Sequence, residues 1–505
     1  MTDIQVDVKV NWLDYSYVNI EAENSILMEL RNYFSFEVDG FKFNPKYKYG
    51  AWDGKIRLLD NNGRLPLGLT GFLKRYCENE GLSYSEAEQI TSIPFITRED
   101  FDAWIGGLDI YAGEDKITPH WYQADAVFEA INGNRRVLNL PTSAGKSLIA
   151  ALLARWYMEN FEGKILVIVP TTALVDQMID DFADYRIVPR GACLGIRGGT
   201  KRDSDAVVYV STWQTAVKQD STWFRQFGML NVDECHLANG ASIKRIIETM
   251  GHCQFKFGMS GSLKEGKTNV LQYIGSFGDV FRPVTTKKLM EDGQVSNLKI
   301  NSVFLRYPDH ETVINKGLEY QAEIKTITTH TKRNAWVCRL ALKLATQRNE
   351  NVLIMFKNIA HGKLLYEALK RKHGDKVHYV SGETKTENRV ELKGNAENED
   401  GLIIVASYGV MSTGISIKKL HHIMFAHPVK SSVVVKQSIG RVLRKHDSKD
   451  FATLWDIVDD ICVKPKTAKS KKKYTHMNYA YKHAMKRIEI YNDEHFPYSI
   501  AEVIL

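Results

Sequence analysis

Long apolar runs are missing from this 505-residue chain: nowhere do about 18 apolar residues follow one another, and the opening stretch MTDIQVDVKVNWLDYS has no basic segment leading into an apolar one. Neither a membrane span nor a secretory leader is expected, and the place of action is read as cytoplasmic. Cysteine is scarce and scattered. Cys77, Cys193, Cys235, Cys253, Cys338 and Cys462 form no C-x-x-C pair and no Cys/His cluster at zinc spacing, so neither a disulfide framework nor a structural zinc site is expected. No internal repeat of roughly 20–50 residues is found, which excludes solenoids and propellers. Net charge is weak as well: +7 over the whole chain does not by itself point to a nucleic-acid partner.

What is present is a folded, multidomain composition. The chain is 44% hydrophobic and 25% charged, and it exceeds the roughly 250–300 residues at which single cores stop growing. Basic charge is concentrated rather than spread. Residues 1–95 carry ten Lys/Arg against fourteen Asp/Glu, yet residues 42–64 within them carry six against two. Residues 464–505 carry nine against four, and begin with the run KPKTAKSKKK, a phosphate-attracting end whose ordinary alternative is a solvated linker.

Short β-rich runs alternate with helical patterns twice over. VLNL, KILVIVP, VVYVST, MLNVDE and FKFGMSGS fall between residues 137 and 262, and NVLIMF, VHYVSG, LIIVAS, HHIMFAH and ATLWDIV between 351 and 458. Continuous Val/Ile/Leu strands separated by helices predict parallel sheets covered on both faces. The fold class is therefore α/β with two tandem parallel-sheet domains, over 96–285 and 286–463. Residues 1–95 read as a small separate α+β domain, with a helical pattern at 24–33 and an Asn-Asn-Gly turn at 61–63 that suggests a hairpin between KIRLLD and RLPLGL. Residues 464–505 read as a basic linker and a short helical extension.

The chemistry-bearing motifs lie in the two sheets. LPTSAGKS (140–147) follows an apolar strand and precedes an apolar helix, the setting of a phosphate-binding loop. There the backbone of Thr142, Ser143, Ala144 and Gly145 would cradle phosphates, Lys146 would reach the β and γ groups, and Ser147 would ligate Mg²⁺. Leu140 stands where that pattern asks for glycine. MLNVDECH places Asp233 and Glu234 at a strand end, the first to hold Mg²⁺ and the second to polarise an attacking water. QSIGRVLR (437–444) puts Arg441 and Arg444 three residues apart on one helix face. Such a pair is ordinarily surface solvation, but beside a nucleotide it offers arginine fingers.

Together these motifs resemble the superfamily 2 helicases over residues 115–460. That resemblance implies two RecA-like domains with ATP in the cleft between them, Mg²⁺ as the accompanying ion, and Gln123 reading the adenine edge. It further implies strand contacts from Thr171, Thr172 and Thr212, coupling of hydrolysis to strand movement through Ser260, Ser262 and Gln437, and further strand contacts from Lys357 and Arg389. Ser412, Thr413 and Gly414 would touch both nucleotide and strand. The DECH variant and the missing first glycine are both tolerated in that superfamily.

FKFNPKYKYGAWDGKIRLL (41–59) interleaves aromatic residues with Lys42, Lys46, Lys48, Lys55 and Arg57. This predicts a strand or ribbon whose basic face meets phosphates and whose rings stack on unpaired bases, the alternative being a small β-domain with core aromatics. The whole chain is similar to phage recombination helicases, which implies an ATP-dependent DNA helicase acting on branched and single-stranded DNA in recombination, repair and replication, in host cytoplasm. RNA in hybrids and single-strand-binding or recombination proteins stay open as partners. An RNA helicase and a nucleotide-switched annealing protein stay open as alternatives.

Overall fold

The computed structural model describes residues 6–38, 40–91, 96–197, 205–237, 241–261, 263, 267–413, 417–465 and 474–505, with the backbone alone at 241, 267–269, 386, 390 and 411–413. Two compact units result, 1–140 with 144–283 and 141–143 with 284–505. Among the described residues, no helix is long and apolar enough to cross a membrane.

The chain opens with β1 (Val8–Trp12), β2 (Tyr17–Ala22), α1 (Asn24–Tyr33), β3 (Ser35–Glu37), β4 (Lys55–Arg57), β5 (Arg64–Pro66), α2 (Thr70–Glu80) and β6 (Tyr84–Glu86). A four-stranded sheet of order β5-β2-β1-β6 buries alternate residues, Val8 and Val10 of β1 and Val18 and Ile20 of β2, against Leu30, Phe34 and Leu73. The sheet is mixed, β1 pairing antiparallel with β2 and parallel with β6, and its one-faced alternation is what a sheet with one wet side requires. The turn at 61–63 is present, but it does not close the expected hairpin. Asp60 Oδ1 accepts from the backbone of Asn62 and Arg64, and β4 then pairs with β3 whereas β5 pairs with β2. Gly63 has φ +77°, and a Cβ there would lie 2.7 Å from Ile20 O, so the turn is pinned against β2.

Residues 41–59 are not a ribbon. Phe41–Phe43 is a 3₁₀ turn and Pro45–Lys48 a short helix, capped by Asn44 with Pro45 in its first position. Within this segment only Lys55–Arg57 forms a strand. Phe43 and Tyr49 are 82% and 86% exposed, so these rings are not core. Phe41 packs edge-on against Tyr47, and Trp52 Nε1 donates to Lys55 O at 2.8 Å.

A hairpin of β7 (Ile110–Ala112) and β8 (Asp115–Ile117) precedes α3 (Trp121–Gly133), β9 (Arg135–Asn139), α4 (Lys146–Asn160), β10 (Lys164–Val169), α5 (Thr172–Asp184), β11 (Cys193–Ile196), β12 (Val208–Thr212), β13 (Phe227–Asp233), β14 (Phe255–Ser260) and β15 (Val280–Phe281). The last seven strands form one parallel sheet of order β11-β12-β10-β13-β14-β9-β15. Residues 165–169 of β10 are all buried, as a strand covered on both faces must be.

The second sheet contains β16 (Asn297–Arg306), then, after α6 (Thr331–Gln347), β17 (Val352–Phe356) and β18 (Val377–Val380). After α7 (Thr386–Asn398) come β19 (Ile403–Ser407) and β20 (His422–Phe425), after α8 (Ser432–Val442) comes β21 (Phe451–Asp460), and after α9 (Tyr479–Asp493) comes β22 (Tyr498–Ile504). Its order is β18-β19-β17-β20-β21-β16-β22, all parallel. Counted along the chain, both sheets have the permutation third, fourth, second, fifth, sixth, first, seventh. Strands β11, β15, β16 and β22 escape the sequence reading. In particular, the C-terminal extension is helical over α9 and then adds a strand beside β16.

Two buried ion pairs fix α6 and α9 onto β21. Arg333 on α6 donates to both oxygens of Asp459 (3.0 and 3.1 Å) and to Ala426 O, and Tyr307 Oη donates to Asp459 at 2.9 Å. On α9, Arg487 meets Asp456 at 2.7 Å, Tyr491 Oη donates to the same carboxylate, and Arg487 also donates to Val429 O. Glu323 accepts from the backbone of Tyr479 and Ala480 at the N-terminus of α9, where a carboxylate is favoured.

Candidate functional site

The carboxyl ends of β9, β14 and β13 lie side by side, and the candidate residues leave the sheet there. The register sets Ser260 opposite Asn139 and Asp233 opposite Met259, and Leu140 N–H donates to Ser260 O at 2.9 Å. The loop from β9 to α4 turns on two left-handed residues, Ser143 (φ +72°) and Gly145 (φ +75°), and left-handed residues within a turn are a feature of the backbone nests that bind anions. Only glycine fits at 145. A Cβ there would lie 2.3 Å from Gln123 Nε2.

Gln123 is 4% exposed, and both ends of its amide are engaged. Oε1 accepts from His120 N–H and Nε2 donates to Ala144 O, each at 2.9 Å, so the side chain braces the loop from behind. Ser147, the second residue of α4, is 2.7 Å from Tyr185 Oη, and burial pushes that phenol up to about 12. Nothing in the sequence pattern singles out Tyr185.

Asp233 ends β13, and Glu234 follows in the left-handed region at φ +48°. A non-glycine residue there stores strain, which turns the chain sharply out of the sheet and presents both carboxylates at its edge. Burial raises the Asp233 pKa, Glu234 raises it further and the charge of Lys146 opposes the rise. Asp233 Oδ1 is buried with no hydrogen-bond partner among the described residues. His236 stands between two motifs, its Nδ1 2.7 Å from Ser260 Oγ and 3.2 Å from Glu234 Oε2. The DECH pattern displays this histidine, but its partner could be identified only in the fold. Ser262 lies outside the described residues.

The other first-unit candidates share the same edge. Val169 at the end of β10 is in register with Thr212 at the end of β12, and Thr171 and Thr172 begin α5 just beyond. Thr212 is 4% exposed, with its hydroxyl 3.1 Å from that of Thr215. On the N-terminal domain Lys42, Lys46 and Lys48 are exposed beside Phe43 and Tyr49, whereas Arg57 is held by Asp53 at 2.5 Å and Lys55 is half-buried. Lys256 joins this domain to the first sheet: fully buried at the start of β14, it donates to Tyr15 O (2.8 Å) and Ser16 Oγ (2.6 Å).

In the second unit Lys357 follows β17, and Arg389 on α7 donates to Ser381 O and Gly382 O, both at 3.2 Å. Gln437 and Arg441 lie on α8. The helix ends at Val442, so Arg444 sits past its terminus and not on the expected helix face. The Lys449 ammonium donates to Val442 O at 2.7 Å and satisfies that end. Gly414 lies outside the described residues, as do the side chains of Ser412 and Thr413, and so do Lys471, Lys472 and Lys473 of the basic linker.

Three family profiles match the chain: "DNA helicase UvsW, N-terminal" over residues 7–85, "Type III restriction enzyme, res subunit" over 116–265 and "Helicase conserved C-terminal domain" over 332–446. The chain is 23% identical to the "Probable helicase D10" of Escherichia phage T5, across 64% of this chain and 67% of that protein. It is 56% identical to the ATP-dependent DNA helicase uvsW of Enterobacteria phage T4, across 99% of this chain and 100% of the relative. The crystal structure of T4 UvsW superimposes with TM-score 0.54 over 99% of each chain at 55% identity. With that identity maintained from end to end, the chain belongs to the UvsW family of ATP-dependent DNA helicases.

Proposed function

We propose that this helicase remodels branched DNA, unwinding strand-invasion loops, reversing stalled forks and migrating four-way junctions during recombination, repair and replication in the host cytoplasm. The observation that carries the reading is the exposed pair Phe43 and Tyr49 among Lys42, Lys46 and Lys48, on a domain buried through Lys256 into the sheet that bears the nucleotide motifs. Rings available for stacking beside cations available for phosphates suit a junction, where paired and unpaired strands meet.

In the nucleotide site, Thr142, Ser143, Ala144 and Gly145 cradle the phosphates and Lys146 neutralises them, with Gln123 bracing the loop and, through the resemblance, facing the adenine. The unpartnered oxygen of Asp233 and the hydroxyl of Ser147 fit Mg²⁺, which would supply charge neutralisation at the phosphates. Among the described residues no group of three or more His, Cys, Asp or Glu could hold a metal ion, as suits an ion shared with phosphates. Glu234 polarises the attacking water, and Arg441 and Arg444 stabilise charge on the transferring group. Thr171, Thr172, Thr212, Lys357, Arg389, Ser412 and Thr413 hold the strand. Gly414 touches the nucleotide, and Ser260, Ser262 and Gln437 link strand movement to it, with His236 tying Glu234 to Ser260.

The test is ATP hydrolysis and unwinding measured in parallel on single-stranded, duplex, forked and four-way DNA and on RNA. Forked and four-way DNA are expected to stimulate most, and replacing Lys42, Lys46 and Lys48 with Gln should reduce that advantage while sparing single-stranded DNA. Equal stimulation by RNA would return the protein to the RNA-helicase reading, and annealing without unwinding to the annealing one.

A further inference from the structure

At the carboxyl edge of the second sheet Met355 is in register with Phe425, and Ala426 N–H donates to Met355 O at 3.2 Å. Lys357 and His427 therefore leave neighbouring strands at one place. The loop after His427 is held from behind by its carbonyls: Tyr408 Oη donates to His427 O at 3.0 Å and Arg487 Nη1 to Val429 O at 2.5 Å. One turn before Arg487 on α9 lies His483, its ring 5.5 Å from that of Tyr320.

His427 is 3% and His483 9% exposed, and the Nδ1 of each has no hydrogen-bond partner among the described residues. Burial pushes both imidazoles down to about 4, and neighbouring cations add to this: Arg333 and Lys357 act on His427, and Lys430, Arg487 and Lys357 on His483. Of these cations, Arg333 is matched by Asp459 and Arg487 by Asp456. Lys357 and Lys430 are exposed and make no ion pair among the described residues. Two buried imidazoles with unmet hydrogen-bonding capacity, flanked by two uncompensated ammonium groups, lack an anion with several acceptor oxygens.

We propose that Lys357, His427, Lys430 and His483 form a site for one backbone phosphate of the bound DNA strand, with the C-terminal helix supplying His483. The site rests on the DNA-helicase reading above and extends it, since the C-terminal extension then takes part in gripping the strand. A phosphodiester is favoured over a nucleotide phosphate because the phosphate-loop motif follows β9, whereas the equivalent strand β16 is followed by Tyr307, Pro308 and Asp309.

The experiment measures binding of a labelled oligothymidylate to the full chain by fluorescence anisotropy as salt is varied. Lys430→Gln removes an exposed ammonium and should lower the salt slope by about 0.7, the share of one phosphate contact on a single strand. His483→Phe retains ring packing against Tyr320 and should weaken binding about tenfold. Oligonucleotides with uncharged methylphosphonate linkages should erase the difference between parent and variants. If both variants, folded by thermal melting, bind the strand as the parent does, the site is wrong. It is equally wrong if they lose affinity for a fluorescent ATP analogue and not for DNA. Failure of the unmodified protein to bind DNA at all would instead sink the underlying reading.

Discussion

After β9 the first sheet runs into residues 140–147, a loop with two left-handed residues and a following fifteen-residue helix, whereas after the equivalent β16 the second sheet runs into Tyr307, Pro308 and a six-residue helix. After β13 the first sheet turns through a strained Glu234, whereas after β20 the second enters a loop held by Tyr408 and Arg487. One strand order thus supports two kinds of carboxyl edge. The first leaves a carboxylate oxygen of Asp233 buried and, among the described residues, without a hydrogen-bond partner. The second neutralises its deepest charges, Asp456 and Asp459, with Arg487 and Arg333. Topology sets where loops emerge, and loop chemistry sets what they do.

This contrast can be broken most sharply from the second sheet. Arg441→Ala and Arg444→Ala should each lower ATP turnover by about 10³–10⁵ while nucleotide binding persists, as measured by steady-state hydrolysis and equilibrium titration. A loss below tenfold in both would confine the chemistry to the first sheet. Next, Glu234→Gln should retain nucleotide affinity and lower turnover by about 10²–10⁴; unwinding that survives in this variant would remove the water-activating role.

Two stability tests sharpen the other half of the contrast. Arg487→Met leaves Asp456 buried and unmatched and should destabilise the second unit by about 3–5 kcal/mol in denaturant titrations, while adding Asp456→Leu should restore most of the loss. If the single variant is as stable as the parent, α9 is not fastened through this pair. The smallest effect concerns Lys256, where Lys256→Met leaves Tyr15 O and Ser16 Oγ without their donor, at about 1–3 kcal/mol. Burial, then Arg135, holds the folded-state pKa of Lys256 well below its ordinary 10.5. Between that lowered value and 10.5 the unfolded chain carries a proton that the folded chain lacks, so stability should rise with pH across the window. Melting curves from neutral pH to pH 10 should show this rise in the parent and a flatter profile in the variant.

Much of the architecture was legible because buried parallel strands are written as short Val/Ile/Leu runs, and ten of the fourteen strands in the two sheets announce themselves this way. The four that do not are short, polar or at an edge: VF in β15, CLGI in β11, the alternating NLKINSVFLR of β16 and the exposed YSIAEVI of β22. The segment 41–59 misled for a local reason. Its aromatic and basic alternation suits a ribbon, but Asn44 followed by Pro45 is a helix start, and capping prevailed over alternation.

The order of the motifs, the strand-to-helix setting of Lys146 and the strand-end setting of Asp233 with Glu234 follow from the sequence alone, because hydrophobic periodicity and turn residues act within a few residues of themselves. Tertiary structure alone decided that Gln123 braces Ala144, that Tyr185 meets Ser147, that His236 joins Glu234 to Ser260, and that Lys256 is buried beneath Tyr15 and Ser16. These pairs lie between 21 and 241 residues apart along the chain, and only a fold that excludes water gives such distant polar groups a reason to find each other.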